Sequence, residues 1–215
     1  MTTRLVLASH NRGKLAELRR ILAGLDVQLV DPDELDLPDV DETGATFEDN
    51  ALLKARAAVA ATGLPSIADD SGLAVDALGG EPGVRSARYA GVHGDDAANL
   101  ALVLARMADR DDRAARFVCV AALAAPDGRE WTARGTLEGT LSAAPRGTGG
   151  FGYDPILVPL DDVRTTAELA PQDKDAISHR GRAFRALRPA IAALAGTPAE
   201  PAASNPEATT PREEP

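Results

Sequence analysis

Apolar positions along this chain alternate between strand and helix spacing. Arg4–Ala8 is a short apolar run of the kind a buried strand makes. Lys14–Ala23 places Leu15, Leu18, Ile21 and Leu22 at helical intervals, with Gly24 as a stop. Val27–Val30 reads as a second strand. Thr46 can cap a helix over Phe47–Thr62, closed by Gly63 and Pro65. Ser66–Ala68 reads as a strand that stops at Asp69-Asp70-Ser71-Gly72. Asp95–Met107 carries Leu100, Val103, Leu104 and Met107 on one stripe. Ala115–Ala125 and Trp131–Leu141 form two strands joined by Pro126-Asp127-Gly128. Tyr153–Val158 is a further strand, and Arg182–Leu194 a closing amphipathic helix with Pro189 expected to kink it. Early strand–helix alternation followed by a hairpin predicts an α/β fold on a mixed sheet. From about Gly196 the chain turns to Pro, Ala, Thr and Glu without large apolar residues. Residues 1–195 are therefore expected to form one domain, and 196–215 a disordered tail.

Composition narrows the class. The 215 residues are 44% hydrophobic and 26% charged, ordinary for a globular protein, and only 3% aromatic, so the core is expected to be aliphatic. No apolar run approaches the roughly 20 residues a bilayer span requires. A single cysteine, Cys119, rules out an intrachain disulfide and fits a reducing cytoplasm. The formal net charge of −10 disfavours nucleic acid and anionic membranes as partners. It leaves room for a small anionic substrate, most readily one that arrives with a metal ion.

Four segments carry candidate chemistry. Ser9-His10-Asn11-Arg12-Gly13-Lys14 lies between a strand and a helix, where backbone N–H groups and a lysine can bind an anion; a simple helix cap is the alternative. It is not a Walker A loop, since Ala8 and Leu15 stand where Gly and Ser or Thr are needed. Glu42 precedes a glycine turn and can face the same cleft as Asp70, while Glu48 and Asp49 read as helix-start charge. Asp69 and Asp70 are adjacent, so in extended backbone they point to opposite faces: one into a cleft, one anchoring the loop. A carboxylate there can hold Mg²⁺ or accept a proton from water. Gly147–Pro155 contains G-x-G-x-x-G, but Tyr153-Asp154-Pro155 follows instead of a helix, which excludes a dinucleotide fingerprint. Glycines around Phe151 instead suit close approach to a flat ligand, or a hairpin loop with a core Phe. Asp173–Gly181 adds Lys174, His179 and Arg180, with no nucleophile elbow and no zinc spacing. Together these supply what a nucleoside triphosphate site without a P-loop requires.

The same segments identify a resemblance. Ser9–Lys14, Glu42-Thr43-Gly44 with Thr46-Phe47, Asn50 through Lys54, Ile67–Val75, Ser86-Ala87-Arg88-Tyr89, Gly147–Pro155 and Ile177–Arg180 run in the order found in the inosine/xanthosine triphosphate pyrophosphatases. Each segment is weak alone; in order, across about residues 4–195, they are specific. The one departure is Ser9-His10, where that family more often has Thr-Gly. The resemblance implies an elongated mixed sheet with helices on its faces, two lobes with a cleft between them, and a homodimer. It implies hydrolysis of ITP, dITP and XTP to the monophosphate and pyrophosphate. By that likeness, Ser9, His10, Asn11, Arg12, Gly13 and Lys14 hold phosphates, and Lys54 adds a second cation. Glu42 and Asp70 hold Mg²⁺, Asp70 takes the proton of the attacking water, and Asp69 and Lys14 share the catalytic centre. Ser71 touches substrate, and Phe151, Gly152, Tyr153, Asp154, Lys174, His179 and Arg180 surround the base. A purine 6-keto oxygen accepts from Arg180 or a backbone N–H, whereas adenine sets donor against donor, at a cost of about 1–3 kcal/mol.

Overall fold

The computed structural model describes residues 2–196 apart from Asp36. Of the expected tail, 196–215, all but Gly196 lies outside the described residues. Six strands form one mixed sheet in the order β2-β1-β3-β4-β5-β6. They are β1 (Thr3–Leu7), β2 (Val27–Val30), β3 (Ser66–Val75), β4 (Ala114–Ala124), β5 (Glu130–Leu141) and β6 (Leu157–Pro159). Strands β1, β2 and β3 run parallel, and β3 through β6 pair antiparallel. Five helices flank them: α1 (Arg12–Ile21), α2 (Phe47–Thr62), α3 (Asp96–Arg106), α4 (Pro171–Ile177) and α5 (His179–Leu194).

The expected α/β mixed sheet is what forms, and α2 has the predicted bounds. Its capping box is complete: Thr46 accepts from the Asp49 N–H while the Asp49 carboxylate accepts from the Thr46 N–H. Three local expectations are corrected. Strand β3 does not stop at Ala68 but runs through Asp69 and Asp70 to Val75. Asp-Ser-Gly is turn chemistry only when its carboxylates seek water; here cations on the flanking helices neutralise them. Residues 153–156 form turns, leaving Leu157–Pro159 as the edge strand. Helix α5 begins at His179, three residues earlier than expected, because Ser178 caps it onto the Gly181 N–H. It runs past Pro189 to Leu194.

Strand alternation sorts the core. Leu5, Leu7, Ile67, Cys119, Ala121 and Leu123 face α1 and α5 with Leu15, Leu18, Phe184 and Leu187. Val6, Ala68, Val120, Ala122 and Ala124 face α2, meeting Ala51, Ala55 and Ala58. Alanine along α2 lets that helix lie close to the sheet. A separate cluster, including Leu73, Val75, Leu100, Val103, Met107, Phe117 and Ile156, builds a second lobe around α3 and β6.

The position of the cleft follows from strand length. Strand β1 pairs with β3 only at Val6–Ser66 and Leu7–Ile67. Beyond Ile67 that edge of β3 pairs, among the described residues, only at an isolated bridge between Ala74 and Pro82, and the chain leaving β1 turns there into the loop before α1. Open α/β sheets place ligands in such crevices beyond the carboxyl ends of parallel strands.

Candidate active site

One cavity of about 880 Å³ occupies this crevice between the lobes. Of the expected site residues, Ser9, His10, Asn11, Lys14, Glu42, Lys54, Asp70, Ser71, Phe151, Gly152, Tyr153, Asp154, Lys174, His179 and Arg180 line it; Arg12, Gly13 and Asp69 do not. Arg12 is exposed. Gly13 instead seats Phe151, since a Cβ there would lie 2.6 Å from the ring.

The loop after β1 is shaped by Asn11, whose carboxamide accepts from the Lys14 N–H and caps α1. Strand alternation then divides the two aspartates. Asp69 points toward α1 and α5, where Lys14 Nζ lies at 3.1 Å and Arg180 Nη2 at 3.2 Å. Ser71 donates to the same oxygen. Burial alone would raise the Asp69 carboxyl, but Lys14, Arg180 and Lys54 outweigh it and hold the group far below the carboxylate range. Asp69 is a buried structural anion and lies behind the cleft wall.

Asp70 points toward α2, whose Asn50 donates to it at 3.0 Å. Lys54 Nζ lies 3.6 Å from Asp70 and 2.8 Å from Glu42. Burial raises the Asp70 carboxyl, and the Glu42 charge adds to this against Lys54 and Lys14. The environments thus push the neighbouring carboxyls apart: Asp69 is locked ionised, and Asp70 is poised to accept a proton. Glu42 and Asp70 converge on one ammonium, which marks a point where two carboxylates share a cation. Among the described residues no group of three His, Cys, Asp or Glu is arranged to hold a metal. A two-carboxylate set suits Mg²⁺, which keeps waters and takes further oxygens from phosphates.

Another part of the cavity wall is built on Phe151–Asp154. The Asp154 carboxylate accepts from the Phe151 N–H at 2.8 Å and from Thr166 Oγ1 at 2.8 Å. Tyr153 donates to the Ser86 carbonyl at 2.8 Å, and Gly152 N–H to Asp96 at 2.8 Å. These tie the loop to the second lobe. Lys174 joins it to the first, donating to both Asp154 and Glu17. Glu17 in turn accepts from Arg180. Every nitrogen of the Arg180 guanidinium donates within the protein, to Asp69, Glu17 or Ser71. The side chain is 2% exposed and lies 5.5 Å from the Phe151 ring centroid. His179 stacks on Phe117 at 4.8 Å, and its Nδ1 has no partner among the described residues. Burial, Arg180 and Lys174 push its pKa well below the ordinary value, so the ring is neutral.

Two positions that hold cleft residues by hydrogen bonds escaped sequence reasoning. Glu17 sits on the buried stripe of α1, one turn after Lys14, where spacing alone does not separate a buried partner from a solvated face. Arg88 belongs to a matching segment, but nothing in the sequence assigned it a role. It reaches across the cleft to Glu42.

Fold and site together define an α/β protein with a crevice at a strand end, lined by cations, carboxylates and the rings of Phe151 and His179, suited to a nucleotide with a polyphosphate. The chain belongs to the Ham1 family, whose sequence model matches residues 5–190. A dITP/XTP pyrophosphatase of Streptomyces coelicolor is 60% identical over 199 residues, covering 90% of this chain and 100% of that protein. One from Mycobacterium tuberculosis is 56% identical over 201 residues, covering 91% and 98%. Among solved structures, a HAM1 protein from Coxiella burnetii superposes with TM-score 0.81 at 45% identity, covering 89% of this chain and 99% of that one. A nucleoside-triphosphatase / dITP/XTP pyrophosphatase from Mycobacterium abscessus superposes with TM-score 0.69 at 52% identity, covering 88% and 100%.

Proposed function

We propose that this protein hydrolyses non-standard purine nucleoside triphosphates, dITP, XTP and ITP, to the monophosphate and pyrophosphate. It thereby clears them from the nucleotide pool before they enter DNA or RNA. The observation that carries this reading is the convergence on one cavity of Lys14, Lys54, Glu42 and Asp70 with the rings of Phe151 and His179. The names and close similarity of the relatives support it.

In this reading the loop Ser9–Lys14 and Lys54 bind the phosphates. Asp70 accepts a proton from the water whose oxygen attacks the α-phosphorus. The bond to the α,β-bridging oxygen breaks, and pyrophosphate leaves with that oxygen. Glu42 and Asp70 would hold Mg²⁺, which supplies charge neutralisation for the leaving pyrophosphate. Lys14 touches both sides of the arrangement, a cation for phosphate that also anchors Asp69. Since Arg180 is committed to Asp69, Glu17 and Ser71, recognition of the keto base falls to backbone N–H groups and to the neutral His179. Phe151 offers its ring to the base.

Cytoplasmic location and a homodimer complete the proposal. They rest on the reduced Cys119 and on the family resemblance; among the described residues no helix is long and apolar enough to cross a membrane. The test is product analysis with Mg²⁺ and ITP, XTP, GTP or ATP. Monophosphate and pyrophosphate from ITP and XTP alone are expected. Release of diphosphate and orthophosphate would place the attack at the wrong phosphorus.

A further inference from the structure

We propose that Arg88 is a positioning residue for the cation site: reaching over from the second lobe, it holds Glu42 in the attitude in which Glu42 and Asp70 share one divalent ion. The inference rests on the cation-binding reading of Glu42 and Asp70 above.

Glu42 lies in a stretch without regular secondary structure, residues 37–43, that forms one wall of the cleft. Nothing in that backbone fixes its carboxylate. The guanidinium of Arg88 does so with two different bonds. Nη1 donates to Glu42 Oε2 at 3.2 Å, and Nη2 donates to the Glu42 backbone carbonyl at 3.2 Å. A rigid planar fork that grips both ends of one residue sets its main chain and its side-chain torsions together. The carboxylate oxygens are thereby divided: Oε2 faces Arg88, and Oε1 faces Lys54, which also neighbours Asp70.

Lys54 cannot perform this task throughout. Its ammonium sits where the two carboxylates converge and is a candidate phosphate ligand, so it must move when cation and substrate arrive. Among the described residues the Arg88 guanidinium hydrogen-bonds to Glu42 alone, and its bond to the carbonyl does not depend on where the carboxylate turns.

Arg88 is itself well anchored. It ends a 3-10 turn, Gly83–Arg88, that packs against β3. Ser86 Oγ accepts from the Leu73 N–H at 2.9 Å, and the Ser86 carbonyl accepts from Tyr153. The same turn therefore touches the strand that bears Asp70 and the loop that bears Phe151.

The test is Mn²⁺ binding to the full chain, read from the electron paramagnetic resonance of free Mn²⁺, beside the metal dependence of turnover. Arg88→Met is expected to weaken Mn²⁺ binding about 10- to 100-fold, the usual effect of losing a partner that orients a metal ligand. It should raise the metal concentration for half-maximal turnover equally, with a smaller change in kcat at saturating metal. Arg88→Lys, able to reach one of the two acceptors, should fall between. Unchanged Mn²⁺ binding with a raised nucleotide KM would make Arg88 a phosphate ligand and overturn the proposal. Unchanged Mn²⁺ binding with only a lower Tm would reduce it to a structural contact. Equal, negligible Mn²⁺ binding by the wild type and Glu42→Gln would instead remove the cation site itself.

Discussion

At the scale of single residues, adjacent carboxylates behave as opposites because a strand turns successive side chains to opposite faces. Asp70→Asn should retain nucleotide binding and lose at least about 100-fold in turnover, as loss of a general base does. Its folded stability should change little, since a buried carboxyl whose pKa is raised is replaced by a neutral amide of the same shape. Asp69→Asn should do the reverse at the level of folding and destabilise by about 3–5 kcal/mol, because it removes the carboxylate that pairs Lys14 and leaves buried Arg180 only Glu17, which it shares with Lys174. Urea denaturation beside single-turnover kinetics checks both; equal stability loss in the two variants would contradict the division. The sequence already gave the reason for two roles, period-two alternation, but not their assignment. That depends on which helix supplies cations to which face, and α1, α2 and α5 meet β3 only through long-range packing. Glu17 was illegible for the same reason: its partners Lys174 and Arg180 lie more than 150 positions away.

At the scale of elements, most strands and helices could be read from spacing, and α2 could be read to the residue because its capping box and closing Gly63 are local signals. Strand β3 could not, because burial of its polar middle is decided by other elements. Gly72 belongs to that middle. A Cβ there would lie 2.4 Å from Ser86 Oγ and 2.5 Å from the Gly83 carbonyl, so the bare backbone is what lets the Gly83–Arg88 turn sit against the strand. Gly72→Ala should cost about 1–3 kcal/mol by overpacking and should lower activity more than a remote change of equal destabilisation, since it displaces Arg88. An unaltered denaturation midpoint would show that the turn yields freely. Short α4 escaped the periodic reading because its buried members are Lys174 and Asp175, not apolar residues.

At the scale of the whole molecule, an acidic chain places all three of its lysines, Lys14, Lys54 and Lys174, on one crevice. Stability should follow pH accordingly. The unfolded chain protonates His179 near the ordinary 6.5, whereas the folded chain resists it to a much lower pH. The unfolded state therefore binds more protons in that window, and stability falls as pH drops below about 6.5. The lowered carboxyls of Glu17, Glu42 and Asp69 extend the loss further into acid. Melting curves should show a lower Tm at pH 5.5 than at 7.5, and His179→Phe should flatten the upper part of that slope; a flat wild-type profile would mean that the imidazole takes up its proton in the fold. The row Asp154, Lys174, Glu17, Arg180, Asp69 and Lys14, alternating in sign and buried up to the half-buried Lys14, also governs how such a sequence can diverge. One neutral replacement leaves the row with an unbalanced charge, while joint replacement of Asp154 with Lys174, of Glu17 with Arg180 or of Asp69 with Lys14 leaves the remaining charges paired. Descent through these six positions is therefore a walk taken in paired steps, and an intermediate carrying half of a pair folds less well than either its ancestor or its descendant.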